Sequence, residues 1–206
     1  MTRFILIRHG QTVWHSDGIE RAEGRAEVDL DEVGGRQARA TAARLNPWEV
    51  STVYSSPLKR AFSTASILAA RRGLAAQPEP GLIDIDYGKW QGMTHPEAKA
   101  DDPKVYDLWL KRPHQVTFPG GEGLADVRKR AVSAVETLTP KHDGQTVVLV
   151  SHKVVIKVLL CHFLGLDDTH FWRFQQGFCA VNVVEVDGGS ATVHLINDAC
   201  HIERPG

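Results

Sequence analysis

The sequence is short of most features that mark a specialised chain. Its three cysteines, Cys161, Cys179 and Cys200, are odd in number, widely spaced and without a C-x-x-C pair. That excludes a disulfide frame and a thiolate zinc site, and it points to reduced thiols in the cytoplasm. Neither sign of charge is in excess, with 24 Lys and Arg against 25 Asp and Glu and a formal net charge of −1. The chain therefore lacks the electrostatic footprint of a nucleic-acid or anionic-membrane partner, and any anion site must be local. Long apolar runs are missing as well: Val154–Ile156 and Val158–Leu160 are separated by Lys157 and are far too short to span a bilayer. Met1–Ile7 runs straight into Arg8 and reads as a buried strand instead of a signal peptide. No repeat, low-complexity tract or Gly/Pro-rich linker divides the chain. With 42% hydrophobic and 24% charged residues, the composition is that of a globular protein. Residues 1–206 read as one domain with a substantial core.

What is present is an alternation of short apolar strands and amphipathic helices. Phe4–Ile7, Val50–Tyr54 and Thr146–Val150 read as buried strands. Helices are expected over Glu32–Leu45, from Pro57 to about Arg71, over Leu124–Leu138 and from about Lys153 to Leu164, with Pro57 at a favoured first helical position. Phe178–Val186 and Ala191–Ile196, joined across Asp187-Gly188-Gly189, read as a hairpin. Between Pro78 and Pro119 the pattern is irregular, with short helices around His95–Asp101 and Val105–Leu110. We expect an insertion at about 78–122 that covers a pocket. The order implies a three-layer α/β/α sandwich with a mostly parallel sheet and antiparallel strands at one edge. Apolar edge strands near Phe178–Val184 suggest a homodimer.

In parallel sheets the ligand crevice lies beyond the carboxyl ends of the strands. The three best strands end in Arg8-His9-Gly10, in Ser55-Ser56-Pro57 with Arg60 one turn on, and in Ser151-His152-Lys153. On a common rim these bring two His and two Arg together, a cationic pocket suited to a phosphate group. A neutral His there can attack phosphorus, while Arg8, Arg60 and His152 carry the charge on the equatorial oxygens without metal or cofactor. A leaving alkoxide needs a proton, and Asp84 and Asp86 are the candidates, with a pKa raised by burial or by substrate charge. Trp14, Trp90, Trp109 and Trp172 read as packing residues, with Trp14 near enough to line the pocket. The histidines other than His9 and His152 show no tight metal spacing, and the thiols read as packing residues. Lys153 reads as solvent-facing, with contact to a second anionic group of the substrate as the alternative.

These residues resemble the histidine phosphatase superfamily, which includes cofactor-dependent phosphoglycerate mutases and small-molecule phosphatases. The resemblance rests on Arg8-His9-Gly10-Gln11-Thr12, on Arg21-x-Glu23-Gly24, and on Ser55-Ser56-Pro57-Leu58-x-Arg60. It continues through Leu82-x-Asp84-Ile85-Asp86-Tyr87-Gly88-x-Trp90, Pro119-Gly120-Gly121-Glu122 before a helix with Arg128, and Val150-Ser151-His152. Several ordered motifs are far more specific than one R-H-G tripeptide. The resemblance implies that His9 accepts the phosphoryl group, that Arg8, Arg60 and His152 clamp it, and that Asp84 stands at the proton donor's position. Gln11, Thr12, His15, Arg21, Glu23 and Gly24 of these motifs are the candidate substrate contacts, together with Lys153, which stands where Gly often follows the second His. Asp84 stands where the family usually has Glu, His15 where Asn is common, and Glu23 where Gln, Ser or Thr is usual. The resemblance leads to a metal-independent phosphomonoesterase acting on a small phosphorylated metabolite, in the phosphatase branch with α-ribazole phosphatase and the broad-specificity phosphatases. A phosphoglycerate mutase and a catalytically weak phospho-ligand binding protein are the alternatives. A phosphorylated sugar acid, a phosphoamino acid or α-ribazole 5′-phosphate are candidate substrates.

Overall fold

β1 (Thr2–Arg8) takes the centre of the fold because both of its faces are apolar. Phe4 and Leu6 point into one core and Ile5 and Ile7 into the other, none of them more than 1% exposed. The computed structural model describes residues 1–15 and 18–202. Around β1 it arranges β2 (Val50–Ser55), β3 (Ala76–Pro78), β4 (Thr146–Ser151), β5 (Val181–Asp187) and β6 (Ser190–Asp198) in the order β3-β2-β4-β1-β5-β6. The first four in that order pair in parallel, and β5 and β6 add antiparallel pairs. Helices α1 (Glu32–Arg44) and α2 (Lys59–Ala70) pack Ala42, Ala61, Ala65 and Leu68 on the face of Ile5 and Ile7. The other face carries α5 (Leu124–Leu138) and α6 (Lys153–Phe163), through Val127, Val135, Val155 and Leu159. The short helices α3 (His95–Asp101) and α4 (Pro103–Lys111) extend this second core with Ala98 and Trp109. The three-layer sandwich follows from the alternation within β1 and β4.

The register sets the functional rim. Arg8 pairs with Ser151 and Ser55 with Val150. The ladder then runs one residue past the strands: the His9 amide donates to Ser151 O at 2.9 Å and the Ser56 amide to Val150 O at 2.9 Å. His9, Ser56 and His152 thus leave the sheet side by side. A second constraint is the approach of α1 to the exit of β1. A Cβ at Gly34 would lie 2.0 Å from Gln11 O, and one at Gly10 2.6 Å from Gly34 O, so both positions require glycine.

The structure departs from the sequence-based expectations at several places. α2 begins at Lys59, not Pro57: Leu58 is extended at ψ 138° and its amide donates to Ser56 Oγ at 3.3 Å, so the chain turns before it coils. β3 and a 3-10 segment, Asp168–Arg173, are too short to show a period. Phe178–Val184 is no edge, because β5 lies between β1 and β6. The free edge on that side is β6, which alternates exposed and half-buried residues, so the ground for expecting a dimer from Phe178–Val184 is removed. No helix among the described residues is long and apolar enough to cross a membrane.

Candidate active site

The nucleophile candidate stands at the exit of β1. His9 Nδ1 lies 2.8 Å from Gly10 O, and a carbonyl only accepts, so Nδ1 carries the proton and Nε2 keeps its lone pair. The ring is 1% exposed and lies 5.1 Å from the His152 ring, centroid to centroid. Burial first, then the Arg60 and Arg8 charges, hold His9 well below the usual histidine pKa. It is a neutral imidazole at neutral pH.

Three further groups converge on it. Arg8 lays its guanidinium 3.8 Å from the Phe178 ring centroid and donates through Nη1 to Gln176 O at 2.8 Å. Arg60, fully buried in the first turn of α2, donates to Ala26 O at 2.8 Å, Gly24 O at 2.6 Å and Asp84 Oδ2 at 3.1 Å. His152 caps the start of α6 with Nε2 at 2.8 Å from Ser56 Oγ, while Nδ1 faces Asp84 Oδ2 at 3.6 Å. Burial and Arg60 hold its pKa well down too. Arg8 Nε, Arg60 Nε and His152 Nδ1 are buried nitrogens without a hydrogen-bond partner in the protein. Buried polar nitrogens are rarely left unsatisfied, and three in one place match a ligand rich in acceptor oxygens. A phosphoryl group has that character.

Asp84 is 6% exposed, its Oδ1 accepting the Ile85 amide at 2.9 Å. Burial pushes its pKa up to about 6 despite the opposing pull of Arg60. Asp86 points elsewhere: its Oδ1 accepts the Gly88 amide at 2.8 Å, Oδ2 lies 3.5 Å from Arg25 Nη1, and it does not line the pocket. Of the two candidate acids, Asp84 is the one that lines the pocket, beside Arg60 and His152.

The pattern of the histidine phosphatase superfamily (branch 1) matches residues 4–199. The chain belongs to that family. It is similar to Phosphoserine phosphatase 1 of Hydrogenobacter thermophilus, 35% identical over 202 residues that cover 98% of this chain and 95% of that protein. Metal-independent phosphoserine phosphatase of Arabidopsis thaliana is 35% identical over 216 residues, covering 100% and 85% respectively. Among solved structures, YhfR of Bacillus stearothermophilus superposes with a TM-score of 0.92 at 33% identity, covering 98% of this chain and all of that one.

In this histidine phosphatase the pocket brings together Arg8, His9, His15, Arg21, Glu23, Asp84 and Lys153 of the residues singled out in the sequence. Glu23 Oε2 stands 3.5 Å from His9 Nε2 and 3.6 Å from Arg60 Nε. Three of the expected substrate contacts fall outside the pocket wall. Gln11 turns away, because Nε2 donates to Asp31 Oδ2 at 2.8 Å and its amide to Gln37 Oε1 at 2.9 Å. Thr12 is buried beneath Glu23, to whose Oε1 its hydroxyl donates at 2.6 Å. Gly24 contributes a carbonyl that anchors Arg60. Lys153 corrects the expectation of a solvent-facing cation: it is half-buried in the pocket wall, and burial lowers its pKa. Trp90 and Trp109 serve as both core and wall, Trp172 lines the wall but is exposed, and Trp14 does not line the pocket.

Ser56, part of the second strand-end motif, fixes His152. Other groups at the site carried no sequence signal: Phe171 comes from the short 3-10 segment. Arg130 holds the Asp84 loop from α5, donating to Gly81 O at 2.9 Å and Asp84 O at 3.0 Å while pairing with Glu122 at 3.1 Å. Spacing on an amphipathic helix gives an outward arginine no mark that separates a loop clamp from a solvated charge. Among the described residues, one group of metal-ligating side chains occurs, Asp198, Cys200 and His201, and none of the three lines the pocket.

Proposed function

We propose that the protein is a phosphomonoesterase that hydrolyses a small phosphorylated metabolite through phospho-His9, without metal or cofactor. One observation carries the reading: a buried, neutral His9 with an unprotonated Nε2 shares its site with the unpartnered nitrogens of Arg8, Arg60 and His152. His9 Nε2 attacks phosphorus, the ester P–O bond breaks, and Asp84 gives its proton to the leaving alkoxide. The two guanidinium groups and His152 Nδ1–H hold the equatorial oxygens through the transition state. His152 carries that Nδ1 proton when the Ser56 hydroxyl donates to Nε2. In the second half, Asp84 takes a proton from water, the hydroxide attacks the phosphohistidine, and the P–N bond breaks to release phosphate and regenerate His9.

The leaving group lies against a wall from the segment at 78–122, including Tyr87, Trp90, Met93 and Tyr106, with Lys153 in the same lining. Relatives named as phosphoserine phosphatases make phosphoserine the first substrate to assay. Three free thiols, two of them buried, support the cytoplasm as its compartment. A homodimer built by edge pairing would use β6, and sedimentation velocity reads it.

The test is His9→Ala assayed on phosphoserine and on an aryl phosphate, together with acid quench of the unmodified enzyme. Loss of turnover in the variant and an acid-labile phosphoenzyme in the wild type are expected. Undiminished turnover, or no phosphoenzyme, overturns the reading. Phosphate release without isomer formation on 3-phosphoglycerate separates it from a mutase.

A further inference from the structure

Two charges of opposite sign line the pocket beside the phosphate cradle, Glu20 and Lys153. Glu20 is exposed at the mouth, and Lys153 is half-buried in the wall. They attract each other, because the Lys153 ammonium is the leading cause that holds the Glu20 carboxyl below its ordinary pKa. They do not touch. Among the described residues Lys153 makes no ion pair or hydrogen bond through its ammonium, although the fields of Glu20, Asp84 and Glu23 all reach it.

Glu20 is held in place from the far side of its carboxylate. Its Oε2 lies 3.3 Å from His95 Nε2, and the Tyr106 hydroxyl lies 3.2 Å from His95 Nδ1. A carboxylate only accepts, so Nε2 carries the proton of the neutral ring and Nδ1 accepts from the Tyr106 hydroxyl. A chain from α4 through α3 thus fixes one oxygen. No hydrogen bond from the described residues engages the other oxygen, Oε1. The remaining charged side chains of the lining are already committed. Glu23 and Asp84 face Arg60, and Arg21 donates to Trp14 O at 2.6 Å and to Ile19 O at 3.2 Å. Glu20 and Lys153 are therefore the carboxylate and the ammonium that a leaving group can meet. The field of Glu20 also reaches Arg8 and His15, which puts it within electrostatic range of the cradle.

We propose that Glu20 is a specificity residue that binds an ammonium group on the leaving moiety of the phosphate ester, while Lys153 takes a carboxylate of the same moiety. The substrate class is then a phosphomonoester of a hydroxylated amino acid. A zwitterionic leaving group satisfies both charges at once. One with a carboxylate alone brings a like charge towards Glu20, and one with an ammonium alone brings a like charge towards Lys153, so the pair rejects as well as selects. The inference rests on the phosphomonoesterase reading of the pocket and narrows its substrate.

Four esters separate the charges: phosphoserine carries both, phosphoethanolamine the ammonium only, phosphoglycolate the carboxylate only, and phenyl phosphate neither. Glu20→Gln should raise KM by about three- to tenfold for phosphoserine and phosphoethanolamine, lower it for phosphoglycolate, and leave it unchanged for phenyl phosphate, with kcat the same for all four. Glu20→Lys should enlarge the first three changes in the same directions. An equal change in KM for all four esters, or none for the two that carry an ammonium, overturns the proposal. A wild type that hydrolyses phenyl phosphate but prefers phosphoglycolate to phosphoserine overturns it too, and leaves the phosphatase reading standing. If no ester turns over, the phosphatase reading has failed on its own. Calorimetric Kd values of the same four esters on wild type and Glu20→Gln then decide the proposal, which stands only where Kd rises for the two ammonium esters and not for the other two.

Discussion

Arg8, His9, Ser56 and His152 reach the rim on adjacent parallel strands whose backbone ladder continues past the strand ends, whereas Asp84 and the aromatic wall arrive on segments without a strand neighbour. The first region is positioned by main-chain hydrogen bonds. The second is positioned by side chains: Arg130 and Glu122 clamp the acid loop, Arg128 pairs with Asp168 at 2.6 Å, and Trp172 Nε1 donates to Trp109 O at 2.8 Å. A substitution in the wall can change the leaving group while the ladder keeps the phosphate site in place. Phosphoryl chemistry and substrate choice are therefore separable in this fold.

Arg60 is where that separation should fail, because one guanidinium holds Glu23 on one side and Asp84 on the other. We expect Arg60→Ala to lower turnover by about 10²–10³-fold, the range for removing a transition-state donor. It should also cost about 3–5 kcal/mol of stability by leaving two buried carboxylates unpaired. Paired denaturant titrations and kinetics check both. Lost turnover with full stability would show that the two regions meet elsewhere.

Asp84→Asn probes the acid loop where it meets Arg60 and His152. For an alkyl ester we expect kcat to fall by about 10²–10³-fold, and for a nitrophenyl ester, which needs no proton, only a few-fold. Wild-type kcat/KM should decline as pH rises through about 6, and the variant should lack that limb. Stability follows the same carboxyl. A folded pKa of about 6 against an ordinary 3.8 means that its contribution is complete below the ordinary value and is lost as pH rises to about 6. The variant should then be the more stable protein above pH 6, by no more than about 3 kcal/mol, with the difference vanishing in acid. His9 and His152 have the opposite sign. Their folded pKa values lie below the ordinary 6.5, so the stability they contribute is present above it and declines as pH falls. Thermal melts across pH would thus resolve the strand-end region from the acid loop.

The same contrast explains what could be read without coordinates. His9, Arg60 and His152 sit next to strands whose apolar runs are unmistakable, and parallel pairing alone brings strand ends together. The α/β/α layers follow from the same runs. Gln11 belongs to the same opening motif and yet faces α1, because neither motif nor period tells which way a loop side chain turns once Asp31 and Gln37 compete for it. Phe171 and Arg130 were illegible for a different reason: each acts across a long sequence separation, from a short 3-10 segment or through a loop carbonyl that leaves no pattern.

The smallest expected effect falls on Lys153, whose position changed most between sequence and structure. It follows His152 directly in sequence, yet its side chain belongs to the wall, near Glu20 and half-buried. We expect a cation there to meet the leaving group. Lys153→Met should therefore raise KM by about three- to tenfold for an ester whose leaving group carries a carboxylate, and leave phenyl phosphate untouched, with kcat unchanged for both. The paired substrates are needed because a change in KM for both would assign Lys153 to the phosphate cradle. In that case the boundary between the strand-end region and the wall would lie within α6, one residue after its cap.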